Sequence, residues 1–175
     1  EISTNKTTVK SKIIAVTGTN GKTTVVCMIK DLLKNLGYDV ELAGNVGPSL
    51  LEALMERMQH GKFPTFWVLE LSSFQLFLSS DFKSDVSVIL NFSSDHLDWH
   101  SSEEEYLNAK LKVFGFPNLS GMQIINADDV DLSMRVKQHI SPSILGKKMP
   151  KPIYFGLTEN KKKLDVLIAK HDNEE

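Results

Sequence analysis

Residues 12–24 hold the feature that most constrains how this chain can fold. An apolar, β-branched run ends at a glycine turn, and a helical pattern opens directly after it at Lys22. This order of strand, loop and helix is typical of a phosphate-binding loop, because the N–H groups at the start of a helix form a cradle for anions. Glycines in the loop let phosphate oxygens approach the backbone. The sequence therefore predicts a nucleotide site at this turn.

The roles within the loop follow from the chemistry of its side chains. Lys22 is expected to reach the terminal phosphates, and the Thr23 hydroxyl to bind Mg²⁺. The strict pattern G-x-x-x-x-G-K-[ST] is not met, because Val16 occupies the position of the first glycine. An ordinary turn between a strand and a helix is the alternative interpretation. The predicted nucleotide-binding residues are Gly18, Thr19, Asn20, Gly21, Lys22, Thr23 and Thr24.

The composition suits one globular domain. The chain has 175 residues, 41% of them hydrophobic, and a formal net charge of −2, so its charge gives no reason to expect nucleic acid as a partner. The single cysteine, Cys27, excludes an internal disulfide and suits a reducing compartment. The sequence has no run of about 18 apolar residues and no signal-like segment. We therefore expect a cytoplasmic protein that has no membrane partner.

The rest of the chain alternates short apolar strands with helical patterns. Strands are predicted at 12–17, 39–42, 66–71, 85–90, 122–126, 153–155 and 164–169, and helices at 22–36, 48–58, 101–114 and 130–139. The helix at 22–36 is expected to bury one face made of Val25, Met28, Ile29, Leu32, Leu33 and Leu36. Such alternation predicts an α/β fold, a mostly parallel sheet flanked by helices in a three-layer sandwich like that of P-loop NTPases. Residues 1–11 are expected to be a linker or lead-in, and 12–175 one domain.

Polar residues follow several of the predicted strands, and the carboxyl ends of parallel strands meet at one edge of a sheet. The apolar strand that starts at Phe66 closes on Glu70, where phosphate-loop enzymes hold Mg²⁺ with an acid. A carboxylate that ends a buried strand is costly unless it is paired with a cation. Ser72 and Gln75, just after it, either donate to a phosphate or carboxylate or cap a turn.

Five short motifs resemble the Mur ligase family, ATP-dependent enzymes that join amino acids to the peptidoglycan precursor. They are Gly-Thr-Asn-Gly-Lys-Thr-Thr at 18–24, Gly-Asn-Val-Gly at 44–47, Glu-Leu-Ser-Ser-Phe-Gln-Leu at 70–76, Asn-Phe-Ser-Ser-Asp-His-Leu-Asp at 91–98 and Tyr-Leu-Asn-Ala-Lys at 106–110. The motif at 70–76 looks like the one that distinguishes the D-glutamate-adding members. The turn at 126–129 also resembles a family turn, and its acidic residues are interpreted as structural.

The resemblance implies roles for residues beyond the loop. Lys110 matches a lysine that several members carry as a carbamate, which would turn a cation into an anionic oxygen ligand for a hard metal ion. His96 would contact metal or substrate, with Asp95 or Asp98 orienting its ring. The implied ligands of two Mg²⁺ ions are Thr23, Glu70, His96 and Lys110, the implied catalytic residues are Lys22, His96 and Lys110, and the implied contacts of the muramoyl substrate are Asn45, Gln75 and His96. The remaining histidines lack such a context and are expected at the surface: His60, His100, His139 and His171.

The resemblance also implies an activity. The enzyme would use ATP to phosphorylate the carboxylate of UDP-N-acetylmuramoyl-L-alanine, and D-glutamate would attack the acyl phosphate to form an amide. Family members have three domains, and this chain, which begins at Glu1 rather than a methionine, has the length of the central ATP-binding one. The family's Gly-x-His-Asn stretch is absent after Phe155, so the C-terminal part is expected to be truncated or divergent. We expect a monomer that does not complete the reaction alone.

Two other interpretations stay open. A related ligase of the folylpolyglutamate synthase type usually has Gly-Lys-Gly-Ser where this chain has Gly-Lys-Thr-Thr at 21–24. The other is a nucleotide-binding module without turnover. The pair of His96 and Lys110 argues against the module, because simple nucleotide binding needs no second metal ion.

Overall fold

Strands and helices alternate along the part of the chain that the structure describes. The structure is a computed structural model, and it describes residues 10–95, 97–115, 121–139, 151–157 and 166–167. The strands are β1 Lys12–Thr17, β2 Val40–Gly44, β3 Phe66–Glu70, β4 Val86–Ile89, β5 Met122–Asn126, β6 Ile153–Gly156 and β7 Val166–Leu167. The helices are α1 Lys22–Asn35, α2 Leu50–Gln59, α3 Ser73–Leu78, α4 Glu103–Leu111 and α5 Val130–His139, and a 3₁₀ turn, Lys112–Phe114, follows α4.

The strands form one sheet in the order β2-β3-β1-β4-β5-β6-β7, and every neighbouring pair is parallel. Strand β1 lies inside the sheet, with β3 on one side and β4 on the other. The chain builds one side of the sheet with β2 and β3 and then crosses β1 to build the other. A crevice for ligands opens outside the carboxyl ends of the strands at such a reversal. The phosphate loop follows β1 and therefore lies at this crevice.

Successive residues of the inner strands point to opposite faces of the sheet, as the period of a strand requires. Ala15 and Leu69 belong to one apolar cluster, and Val16 and Val68 belong to the other. Helix α1 covers the second cluster, whereas the other helices cover the first with side chains such as Ala53, Leu76, Leu107 and Leu132. The predicted three-layer α/β sandwich is therefore confirmed.

Helix α1 buries a narrower face than its sequence predicts. Its sheet-facing side chains include Val25, Ile29 and Leu33. The other three predicted members of the buried face, Met28, Leu32 and Leu36, are exposed. Met28 and Leu32 each lie one residue, which is about 100° around the helix, from a sheet-facing side chain, and Leu36 follows the last residue of the helix. The apolar periodicity thus predicted the helix correctly and its buried side only in part.

Helix α2 begins at Leu50 rather than at the predicted Pro48. Ser49 is its N-cap: the Ser49 hydroxyl accepts from the N–H of Glu52, and the Glu52 carboxylate accepts from the N–H of Ser49. This reciprocal capping box fixes where the first turn starts. The strand predicted at 164–169 is described only at Val166–Leu167.

The longest helix described, α1, has 14 residues. Within the described ranges, a helix with the length and apolarity needed to span a bilayer is not found.

Candidate active site

The loop between β1 and α1 turns sharply and opens the helix toward the crevice. Gly21, the residue before α1, has a φ of 78°, in the left-handed region that favours glycine. The first N–H groups of any helix have no partner within the helix, so they are directed out of its start. The Lys22 ammonium lies back over the loop, where it donates to the carbonyl oxygens of Gly18 and Thr19, each at 3.0 Å. The loop, the start of α1 and the Lys22 ammonium thus lie together at the carboxyl end of β1.

Glu70 lies beside this loop at the carboxyl end of β3, and only 1% of it is exposed. Thr23 Oγ1 donates to Glu70 Oε2 at 2.8 Å, and Asn45 Nδ2 donates to Glu70 Oε1 at 3.0 Å. Both partners are neutral, and none of the ion pairs found in the described part of the chain includes Glu70. A buried carboxylate without a cation is costly. The Glu70 carboxylate and the Thr23 hydroxyl are oxygen ligands of the kind that a hard divalent cation takes.

The turn after β2 is held tightly against Glu70. Gly44 has a φ of 117°, and a Cβ at this position would collide with the carbonyl oxygen of Glu70. The N–H of Asn45 donates to that same carbonyl oxygen at 2.8 Å. Only a glycine permits this approach, which is how the Asn45 side chain reaches the Glu70 carboxylate. Asn45, predicted as a substrate contact, thus lies at the predicted metal ligand.

Lys110 is the buried lysine of this site. It is 2% exposed, and its amine donates to the carbonyl oxygen of Gly18 at 2.9 Å. The amine also lies 4.5 Å from the centre of the Tyr106 ring, within the range of a cation–π contact. Because Gly18 also accepts from Lys22, two lysine side chains converge on one carbonyl oxygen of the phosphate loop.

The environment of Lys110 changes its acid–base behaviour. Burial, with a smaller contribution from the nearby charge of Lys22, lowers the pKa of Lys110 from 10.5 to about 7, while Asp95 opposes the shift. A substantial fraction of the amine is therefore neutral near pH 7, and a neutral amine is a nucleophile. Burial has the opposite effect on the acidic Tyr106 hydroxyl, whose pKa it raises. The hydrogen bond with Thr19 partly offsets this rise.

The segment after β4 contacts the phosphate loop directly. Asn91 Oδ1 accepts from the N–H groups of Thr19 and Asn20 at 2.9 and 2.8 Å. The Thr19 hydroxyl donates to the carbonyl oxygen of Ser93 at 3.3 Å and lies 3.3 Å from the Tyr106 hydroxyl. His96 lies outside the described residues, so its predicted catalytic, metal and substrate roles stay predictions. Among the described residues, this site included, no group of three or more His, Cys, Asp or Glu side chains could hold a metal ion.

Helix α3 was not predicted from the sequence. Two of the predicted site residues, Ser72 and Gln75, form hydrogen bonds at its start. Ser72 caps it: the Ser72 hydroxyl accepts from the N–H of Gln75, and Gln75 Oε1 accepts from the N–H of Ser72. The capping alternative for both residues is therefore present in the structure. The predicted contact between Gln75 and substrate stays a prediction.

The surface interpretation of His100 is wrong. Its ring is 1% exposed, and its Nε2 lies 3.0 Å from the Ser73 hydroxyl. The ring packs among Phe74, Trp99 and Tyr106. Burial of this ring depends on Ser73 and Phe74 of α3, and a six-residue helix gives too weak a periodic pattern to be detected.

Comparisons with known proteins agree with this geometry. Residues 16–173 match the Mur ligase middle domain family. The chain is 52% identical over 120 residues to the UDP-N-acetylmuramoylalanine–D-glutamate ligase of Nitrosomonas europaea, covering 68% of this chain and 26% of the relative. The chain thus spans about a quarter of the length of this relative.

Solved structures of similar fold include two further ligases. One is a UDP-N-acetylmuramoyl-L-alanyl-D-glutamate–2,6-diaminopimelate ligase, at a TM-score of 0.61 and 28% identity over 86% of this chain and 33% of the other. The other is the MurF ligase of Thermotoga maritima in complex with ADP, at a TM-score of 0.62 and 25% identity over 84% of this chain and 33% of the other. Because the family match extends over most of the sequence, this chain belongs to the Mur ligase middle domain family.

Proposed function

We propose that this chain is the ATP-binding centre of a ligase that joins D-glutamate to UDP-N-acetylmuramoyl-L-alanine in peptidoglycan synthesis. The observation that carries the proposal is the convergence of Lys22 and Lys110 on Gly18, beside the buried pair of Thr23 and Glu70. A site that only holds a nucleotide needs one lysine at its loop. The D-glutamate specificity rests on the relative of that name and on the motif at 70–76.

Nucleotide binding begins at the phosphate loop. The N–H groups at the start of α1 would donate to phosphate oxygens, with residues Gly18 to Thr24 surrounding them. Lys22 would leave the carbonyl oxygens of Gly18 and Thr19 and neutralise charge that develops on the transferred phosphoryl group. ADP in the Thermotoga maritima relative of similar fold supports this assignment.

The metal site would be built on Thr23 and Glu70. Their oxygens, 2.8 Å apart, form the kind of donor set that Mg²⁺ prefers. A bound Mg²⁺ supplies charge neutralisation and orientation of the phosphates. Glu70 and Thr23 would then both bind the metal ion in place of their mutual hydrogen bond. Asn45 would still donate to the other carboxylate oxygen of Glu70 and keep it in place.

Lys110 would take part as a carbamate. The neutral amine attacks the carbon of CO₂, an N–C bond forms, and one amine proton is released to solvent. The product is an anionic oxygen ligand in place of a cation, so the repulsion between Lys110 and Lys22 becomes attraction. The carbamate nitrogen keeps one hydrogen, which can still donate to Gly18. Together with His96, this group would hold or flank a second Mg²⁺.

The proposed reaction would use these residues in two steps. A carboxylate oxygen of the muramoyl substrate, held by Asn45, Gln75 and His96, attacks the terminal phosphorus of ATP, and ADP leaves. The amine of D-glutamate attacks the acyl carbon of the resulting acyl phosphate. The C–O bond to phosphate breaks, phosphate departs, the attacking nitrogen gives up one proton to the departing phosphate or to solvent, and the amide remains. The amino-acid site would be supplied by other parts of the enzyme, and the chain itself would act as a cytoplasmic monomer.

A chimera would test the proposal. This chain would replace the matching segment of the Nitrosomonas europaea ligase, which supplies the other parts of a complete enzyme. Phosphate release from ATP would be measured with the muramoyl substrate and either D-glutamate, L-lysine or a folate substrate. We expect release that depends on D-glutamate and is lost in Glu70→Gln. A folded, ATP-binding chimera that responds only to a folate substrate, or to none, would contradict the proposal.

A further inference from the structure

We propose that Asn91 is a positioning residue that fixes the shape of the phosphate loop before a nucleotide binds. The inference deepens the proposed function and rests on it, because it concerns how the same loop recognises phosphate. It starts from an unusual use of the loop backbone: two of its N–H groups are already bound to a side chain of the protein.

Both polar atoms of the Asn91 side-chain amide form hydrogen bonds with the loop backbone. Its oxygen accepts from the N–H groups of Thr19 and Asn20, at 2.9 and 2.8 Å. Its nitrogen donates to the carbonyl oxygen of Asn20 at 3.0 Å. The N–H of Thr19 also lies 3.2 Å from the carbonyl oxygen of Asn91 itself. A neutral amide oxygen thus occupies the place that an anion would take on these two N–H groups.

These hydrogen bonds determine which backbone N–H groups remain available to bind phosphate. With Thr19 and Asn20 engaged, the phosphate oxygens are left to the N–H groups at the start of α1, where the positive end of the helix dipole also lies. Because the loop is already ordered before the nucleotide binds, the entropy cost of ordering it does not reduce the free energy of binding.

Asn91 is itself held in place, because hydrogen bonds from the turn at 126–129 fix the residues before and after it. The strand end before it is held by Asn126, whose Nδ2 donates to the carbonyl oxygen of Leu90 at 3.0 Å. The residue after it is held by Asp129, whose Oδ2 accepts from the N–H of Phe92 at 2.7 Å. Asp129 Oδ1 meanwhile accepts from the N–H of Leu132 in the first turn of α5. The turn at 126–129 therefore braces Asn91, which explains why polar residues occupy it.

Asn91→Ala tests the inference through two readouts in the 175-residue chain. The first is amide hydrogen exchange at Thr19 and Asn20 without nucleotide, and the second is calorimetric binding of Mg-ATP. We expect the Asn20 amide to lose its protection and the Thr19 amide, which keeps its bond to the backbone carbonyl of residue 91, to lose part of it, while the amides of β1 and β4 stay protected. We also expect the Kd for Mg-ATP to rise at least tenfold. A residue that merely stabilised the fold would lower the unfolding midpoint and leave the Kd of the folded chain unchanged.

Asn91→Asp keeps the inference testable if the alanine variant fails to fold. Its carboxylate can accept from the same two N–H groups, so we expect protected amides at Thr19 and Asn20. Ser87→Ala is the matched stability control, because it removes a buried hydrogen bond to Val113 at the amino-terminal part of the sheet. It should lower stability without changing the Kd.

Lys22→Ala separates the two claims. If Lys22→Ala abolishes binding but Asn91→Ala binds Mg-ATP as tightly as the unchanged chain, the positioning role is wrong and the proposed nucleotide site stands. If the folded, unchanged chain does not bind Mg-ATP, or if Lys22→Ala binds as tightly, both fail. Loss of protection in Asn91→Asp would also overturn the positioning role.

Discussion

The amine of Lys110 and the carbonyl oxygen of Gly18 are joined by a hydrogen bond of 2.9 Å, although 92 positions separate the two residues in the chain. The bond ties helix α4 to the phosphate loop at the end of β1. Because the amine is buried, its charge has a large effect on both stability and chemistry.

Lys110 should make the stability of the chain depend on pH. Its pKa is lowered to about 7 in the folded state, whereas in the unfolded chain it keeps the ordinary value of 10.5. Between these values the unfolded state holds a proton that the folded state has released, so the free energy of unfolding rises with pH from about 7 towards 10. The rise is at most about 1.4 kcal/mol per pH unit. Urea unfolding in CO₂-free buffer should detect it in the unchanged chain.

Two variants separate this effect from other titrations. Lys110→Met should lose the rise, whereas Lys34→Met, a change at an exposed lysine of α1, should keep it. Equal slopes in the unchanged chain and in Lys110→Met would contradict the prediction.

Lys110 should also form a carbamate with bicarbonate in solution. The neutral amine that reacts with CO₂ is well populated near pH 7 because of its lowered pKa. With isotopically labelled bicarbonate, NMR should show a carbamate signal that strengthens when Mg²⁺ and nucleotide are added. Lys110→Arg, which keeps a cation but cannot react in this way, should lack the signal. A signal that persists in Lys110→Arg would assign the carbamate to another amine.

Glu70→Gln should separate metal binding from stability. The substitution removes a buried negative charge and keeps the size of the side chain, so the free energy of unfolding should stay the same or increase. Binding of Mn²⁺ in the presence of ATP, followed by electron paramagnetic resonance, should weaken at least tenfold. Glu56→Gln, at an exposed site on α2, is the matched control and should bind as the unchanged chain does. Tight Mn²⁺ binding by Glu70→Gln would exclude Glu70 as a metal ligand.

Gln123→Met should stabilise the chain. Gln123 lies in β5, is 1% exposed, and neither polar atom of its side chain has a hydrogen-bond partner within the described ranges. A buried amide without partners costs about 1–3 kcal/mol, and methionine fills a similar volume. Urea unfolding should show an increase of about 1 kcal/mol. Gln59→Met, at the exposed end of α2, should change little, and a loss of stability in Gln123→Met would show that the amide is satisfied.

Much of the fold could be predicted because strand and helix periods are local. β1 and β5 have the predicted bounds, since each is a short apolar run between clear breaks. The exposure of Met28 and Leu32 could not be predicted, because it depends on how much of α1 the sheet can cover. Helix α3 was missed because six residues carry little periodic signal, and the burial of His100 was missed with it.

In the candidate site, too, some features could be predicted from the sequence and others could not. The placement of the 18–21 loop and of Glu70 at the carboxyl ends of β1 and β3 could be predicted, because it follows from the fold class. The hydrogen bonds that Asn91 makes to Thr19 and Asn20 could not, since they join residues more than 70 positions apart. Sequence indicates which edge of the sheet carries a residue, and only the packed structure indicates what it touches.

The most direct test of the account is calorimetric titration of Mg-ATP into the chain, beside Lys22→Ala. Asn35→Asp is a useful control, since it changes charge at the other end of α1, about 20 Å from the loop along the helix axis. We expect a Kd in the micromolar range, and we expect binding to be preserved in Asn35→Asp and abolished in Lys22→Ala. A folded chain that does not bind Mg-ATP, or a Lys22→Ala variant that binds it equally well, would contradict the account.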